Sequence, residues 1–258
     1  MPISDFNVFV VLLSSTFALS QASAAAPSTI SLRQATLPIV FTKTVGADHA
    51  RAGDAIYART TQAAKLANGE LIPAGTVVVG HVAVANAFVY DKTPYATQQE
   101  SILAIHFDSL RIAGHELPLK VRVRAMADPL TSWGAREPKS SDLDSVGTVT
   151  QIGGDQLVPS QDEVVNRDGD VVAYNRRDGV YAHLIAHGSC DSSTNEVSVG
   201  IYSPSACGLY GFNNVVARET GSASSPSTLS LVSTRTSPKV WRNTTALLEL
   251  LPEAGAAH

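Results

Sequence analysis

The chain has 258 residues, 44% hydrophobic and 16% charged, with a formal charge of -4 at pH 7. Such a composition belongs to a folded chain of one large or two small domains and excludes disorder, collagen and a coiled coil. With 19 basic against 23 acidic residues there is no cationic surplus for a phosphate backbone, so nucleic acid is not an expected partner. Many Ser, Thr, Val and Gly residues beside few Lys and Glu favour short strands and turns over surface helices.

Residues 6–19 read FNVFVVLLSSTFAL, an apolar run too short to cross a bilayer comfortably, and Ala22-Ser23-Ala24 supplies a small-x-small cleavage site. Together they predict a secretory signal over 1–24, although Asp5 stands where such a segment normally holds Lys or Arg, followed by a flexible lead-in over 25–36. No second long apolar run follows. The expectation is an exported chain without a membrane span after cleavage, placed in the periplasm, the cell envelope or the medium. Cys190 and Cys207 are the only cysteines, an even count that predicts a structural disulfide in an oxidising compartment.

Extended character begins at residues 37–44, where Ile39 and Phe41 share one parity, and resumes over 55–61 after a turn-rich break at 46–53. Pro73-Ala74-Gly75 is a turn feeding a β-branched run, because Pro73 presets φ and Gly75 accepts the positive φ of a tight turn. Residues 88–99 read as a long loop between neighbouring strands. Over 101–110 one parity carries Leu103, Ile105 and Phe107, and the other Ile102, Ala104, His106 and Asp108, the pattern of a half-buried strand. After a turn at Gly114, residues 117–124 alternate Leu117, Leu119, Val121 and Val123 with Pro118, Lys120, Arg122 and Arg124.

Residues 127–163 hold three prolines and no sustained period, and read as a loop or linker. The Asp178-Gly179 step predicts a hairpin between strands near 171–174 and 180–184. A Ser-rich linker at 221–227 precedes two closing strands, 229–232 and 245–251, with a short helix over 246–250 as the alternative. The predicted class is all-β, antiparallel, with few or no long helices: a barrel or sandwich-like module over 37–126, a disulfide-bridged β region over 164–219, and a Ser-rich linker, closing strands and tail over 220–258.

One order of motifs carries a resemblance. Gly53-Asp54, the Ile72-Pro73-Ala74-Gly75-Thr76 turn, the Val79-Gly80 strand, the Phe107-Asp108-Ser109-Leu110 strand and Gly114-His115-Glu116-Leu117-Pro118-Leu119 follow one another as in the periplasmic β-barrel domain of TrbI-like subunits of type IV secretion systems. The chain also resembles exported β proteins of soil bacteria that carry such a module, including in Gly169 to Asn175 and Ala206 to Phe212. The resemblance covers residues 37–124 and implies a β-barrel and an envelope location. It implies no catalytic residue.

His183 and His187 are the leading metal candidates, since i and i+4 share a face, with Asp191 the nearest carboxylate. The Glu of H-E-x-x-H is missing, and the preferred reading is a pair of strand histidines near a hairpin end, with no metal site assigned. His81, His106 and His115 converge only if their strands are neighbours. Asn166-Arg167-Asp168-Gly169-Asp170 has oxygen groups at alternate positions, but Val171 and Arg176 break the EF-hand register, so a turn capped by side chains is preferred to a calcium site. No G-x-S-x-G, G-x-G-x-x-G or P-loop string occurs, and Asp54, Asp108 and Glu116 are carboxylates with no fixed separation. Tyr181, Tyr202, Tyr210 and Phe212 read as a small core packed on the disulfide. The sequence thus assigns no catalytic residue and no cofactor. It predicts a non-enzymatic envelope protein that binds or scaffolds other envelope proteins, with a metal-assisted hydrolase using His183 and His187, or a divergent secretion component, as alternatives.

Overall fold

The computed structural model describes residues 35–66, 69–135, 147–176, 179–184 and 195–251, all within a single compact unit. The signal and nearly all of the lead-in lie outside these residues. The first strands are β1 (Thr36–Phe41), β2 (Val45–Gly46), β3 (Ala55–Thr60), β4 (Ala64–Lys65), β5 (Leu71–Ile72) and β6 (Val77–Asn86). Next come β7 (Ser101–Ile112), β8 (His115–Pro118) and β9 (Val121–Ala127), followed by a short helix, α1 (Pro129–Gly134), which Asp128 caps by accepting from the Thr131 amide. The expected turn at Pro73 is present, with Gly75 at φ 81°. The stretch expected as one strand over 117–124 is instead the end of β8 and the start of β9, because the chain turns at Leu119, whose amide bonds Asp108 O on β7.

Residues 127–163, which carry no period in sequence, hold α1, β10 (Val149–Thr150), β11 (Gln156–Val158) and the start of β12 (Glu163–Val165). Strands of two or three residues are too short to display alternation. The hairpin expected around Asp178-Gly179 is formed by β13 (Val171–Arg176) and β14 (Gly179–His183), with Arg176 opposite Gly179. Then follow β15 (Glu196–Ser198), β16 (Gly208–Tyr210), β17 (Val216–Glu219), β18 (Thr228–Ser233), β19 (Lys239–Val240) and β20 (Thr245–Leu250). The segment 246–250 is a strand, not the alternative helix.

Two sheets dominate. The larger runs β16-β9-β20-β1-β3-β6-β7-β18-β17, with β8 pairing the second half of β7 beside the site where β18 pairs the first half. Its outermost strands, β16 and β17, are consecutive in the chain, so the ends of the sheet return to one another and the sheet is nearly a closed barrel. The Ser-rich segment completes the circuit: the Ser227 amide donates to Val121 O, its hydroxyl donates to Leu119 O, and the Val123 amide donates to Thr220 O. Leu37, Ile39, Phe41, Leu103, Ile105, Phe107, Leu229 and Leu231 fill the interior from both sides.

The second sheet is an antiparallel meander, β10-β11-β12-β13-β14-β15, with its own core around Leu157, Val164, Val180, Val197 and Tyr202. That core also contains Ala125, Ala127 and Leu247, which project outward from β9 and β20, whereas Val121, Val123, Met126, Ala246 and Leu248 of the same strands face the barrel interior. Two strands therefore wall both cores. At this wall Glu249, fully buried, accepts from Arg122 at 2.8 Å and lies 3.8 Å from Arg124. Arg124 in turn donates to the carbonyls of Pro204 and Ala206 at 3.2 Å. Thr36 and Gln62, bonding Ser198, tie β1 and the loop after β3 to β15.

Removing the carboxylate from this wall takes the buried negative charge away from Arg122 and Arg124, so Glu249→Ala is expected to lower stability by about 3 kcal/mol, read by urea unfolding. Tyr202 donates or accepts across 2.7 Å with Thr245 Oγ1, and burial holds its phenol well above the ordinary pKa of 10.0. Above that ordinary value the unfolded chain releases a proton that the folded chain keeps, so stability falls as pH rises through the alkaline range. Spectrophotometric titration should find one tyrosine that ionises only on unfolding, and Tyr202→Phe should abolish that signal at a cost of about 1 kcal/mol.

Candidate functional site

The barrel interior is filled, so chemistry falls to outward-facing groups. On β7 the inward set runs Leu103, Ile105, Phe107 and then Leu110, a slip of parity between 107 and 110. A β-bulge causes it: Val79 of β6 faces Ser109 and Gly80 faces Phe107, leaving Asp108 as the extra residue. A bulged residue is free to turn along the outer face, and Asp108 turns to His81 of β6, whose Nδ1 lies 3.0 and 2.9 Å from the two carboxylate oxygens. His106 is paired directly with His81 across the two strands, with ring centroids 5.4 Å apart. Its Nε2 is 4.0 Å from Asp108 and its Nδ1 is 3.2 Å from the hydroxyl of Thr228 on β18.

Gly80 permits this arrangement, since a Cβ there would fall against the backbone carbonyl of His106. All three side chains are half-buried, neither immersed in the core nor free in bulk water. The structure therefore brings together two of the three histidines singled out on β6, β7 and β8. His115 is exposed near the tip of the β7–β8 hairpin, opposite Ile112, and takes no part. The register that opposes His81 to His106 depends on the bulge, and only the one-sided apolar set of β7 hints at it in sequence.

The other candidate residues are dispersed. His183 ends β14 opposite Glu196, while His187 and Asp191 lie outside the described residues. Asp54 caps the Arg51 amide at 2.8 Å and Glu116 pairs with Arg111 at 2.9 Å, so neither joins Asp108 as a carboxylate pair. Among the described residues no group of three or more His, Cys, Asp or Glu side chains could hold a metal ion. Tyr202 and Tyr210 belong to the second core and Phe212 to the barrel core, which divides the expected aromatic cluster between two places.

The segment 166–170 is a turn. Asn166 Oδ1 accepts from the amides of Asp168 and Asp170, both at 2.9 Å, the arrangement of a side-chain-capped loop. It borders an open hollow of ≈ 410 Å³ together with Gly153, Asp155 and Ser205. Pro204, on the same rim, is the residue whose carbonyl Arg124 holds from beneath.

No protein-family model, curated protein or solved structure matches the chain.

The His81–His106 pair depends on a glycine opposite a carbonyl. Gly80→Ala is expected to push β6 from β7 at a cost of about 1–3 kcal/mol, and to separate the two imidazoles, which a proton NMR comparison of their ring signals with those of the wild-type chain would register.

Proposed function

We propose that the chain is an exported cell-envelope protein of binding or scaffolding type, and that its partners are other envelope proteins. The observation that carries the reading is where its large apolar side chains lie in solvent. Val89, Tyr90 and Tyr95 are exposed in the loop between β6 and β7, and Leu130 and Trp133 are exposed on α1 by 79% and 87%. Tyrosine and tryptophan held out from a complete core are the residue types that anchor protein interfaces, where they supply large area at small entropic cost. The two well-filled cores beneath them supply a rigid mount.

Export rests on the apolar segment and cleavage motif within residues 1–24. Among the described residues no helix is long and apolar enough to cross a membrane. The disulfide between Cys190 and Cys207 belongs to the same reading. Cys190 lies outside the described residues, and what supports the bridge is the even cysteine count together with the lack of a free cysteine among the described residues. Its loop would contribute about 3 kcal/mol in the chain-entropy picture. The TrbI-like module is likewise a proposal, supported by the nearly closed sheet in which β1, β3, β6, β7, β8 and β9 take part.

The test is the native mass of the tagged full chain released gently from cell envelopes. A complex larger than the monomer is expected, and Leu130→Ser with Trp133→Ser should shift the chain towards monomer without lowering its melting temperature. A monomer in wild-type extracts together with measurable turnover by the purified chain would replace the reading with an enzyme. For the bridge, denaturing and non-reducing conditions should expose no titratable thiol; two thiols per chain would refute it.

A further inference from the structure

The ladder registers fix which connections share an end of the barrel. Ala127 faces Thr245 and Tyr210, Asn86 faces Ile102, Ser101 faces Ser233 and Val216 faces Val232, while the ends of β1 and β6 flank the start of β3. One end therefore gathers the segment before β3 (42–54), the β6–β7 loop (87–100), α1, the turn after β16 (211–215) and the crossing from β18 to β20 (234–244). Tyr90, Tyr95, Leu130, Trp133, Val216 and Trp241, all exposed, stand at this end, and they include both tryptophans of the chain. Among the described residues the opposite end exposes only Leu71 and Leu117 of this kind. Contacts run across the end from the β6–β7 loop to α1. The Phe88 amide donates to Ser237 Oγ at 2.8 Å, and the Trp241 ring, four residues further along, lies 5.6 Å from that of Phe212. Beside Phe212, Gly211 meets Asp128 and Thr131 so closely that a Cβ would clash.

Resting on the partner-binding reading above, we propose that the partner met at this end is a second copy of the chain, the two barrels joining end to end about a two-fold axis. Area and charge select the copy. A buried aromatic side chain contributes about 150–250 Å², so Tyr90, Tyr95 and Trp133 together remove about 450–750 Å² from water on each copy. A stable interface needs about 800 Å² per partner. Leu130, Val216 and the exposed part of Trp241 supply the remainder. The segments at this end, α1 taken with its cap, carry six basic and five acidic residues. Opposite signs also stand side by side, with Lys239 Nζ 3.4 Å from Asp48 and Asp54 accepting from the Arg51 amide at 2.8 Å. Such a rim has no net field to draw an anionic lipid surface or a strongly charged protein. Laid on an identical rim by a two-fold axis, it meets equally mixed charge without like-sign repulsion, and the self-complementary contact closes at two copies.

Sedimentation velocity of the purified full chain over a range of concentrations reads the contact. A dimer is expected. Tyr90→Ser with Tyr95→Ser, and separately Leu130→Ser with Trp133→Ser, should each weaken it by about tenfold or more, while Leu71→Ser at the opposite end leaves it unchanged. A chain that stays monomeric throughout, or a dimer that only Leu71→Ser weakens, would overturn the proposal. A larger complex in envelope extracts would then belong to a different partner protein, so the two readings fail separately. A monomer whose tryptophan emission moves to shorter wavelength on phosphatidylglycerol vesicles would give the rim to lipid and overturn the proposal as well. Should the variants fail to fold, the wild-type chain decides. With both tryptophans at this end, its emission should move to longer wavelength as dilution dissociates the dimer, and emission that dissociation leaves in place would count equally against the contact.

Discussion

Two strands, β9 and β20, each place apolar side chains in both cores of the described fold. Val121, Val123 and Leu248 complete the barrel interior, and Ala125, Ala127 and Leu247 complete the core under the second sheet. A charge at such a wall has no water to turn to. Arg122, Arg124 and Glu249 are tolerated because they meet one another, and because Arg124 spends two further donors on the carbonyls of Pro204 and Ala206. One group thus fastens β9 to β20 and also fastens the loop before β16. Glu249 Oε1 accepts from no described residue, so the cluster gives more to orientation than to raw stability.

Legibility in the sequence follows from how many faces a strand buries. β7 buries one, and the alternation of Leu103, Ile105 and Phe107 with His106 and Asp108 reads correctly until the bulge. β9 buries both, and its Arg124 looks like a solvent position although it is buried against the carbonyls of Pro204 and Ala206. Nothing in the local pattern separates a solvated arginine from one neutralised by a glutamate more than a hundred residues later. The meander from β10 to β12 escapes notice for a different reason: strands of two or three residues offer no period to detect, and their existence depends on the core around Leu157 and Val164. The two strands expected to close the chain, β18 and β20, do join the barrel, β18 against β7 and β20 between β1 and β9.

The candidate site shows the same limit in another form. Its residue types and both of its strands are legible, but convergence needs the pairing of β6 with β7 and the exact residue that the bulge expels. Two bulges each release an ionisable side chain, Arg124 at the break in the β9–β20 register and Asp108 in β7. The first is drawn inward, where a second sheet waits to cover it. The second stays on the outer face, half-buried, with two imidazoles beside it.

That contrast bears on where function can reside. The interior of the barrel is occupied by apolar side chains, and the β9–β20 wall is committed to joining two cores, so a ligand entering either would have to displace packing worth about 1.5–3 kcal/mol per large side chain. The β6–β7 face bears no such duty: its inward residues complete the core while its outward residues remain half in water. A polar group there costs the fold little, because the bulge has already broken the ladder and Gly80 already admits the close carbonyl. Substitutions on this face can therefore change chemistry without changing the barrel, whereas the wall formed by β9 and β20 admits almost none.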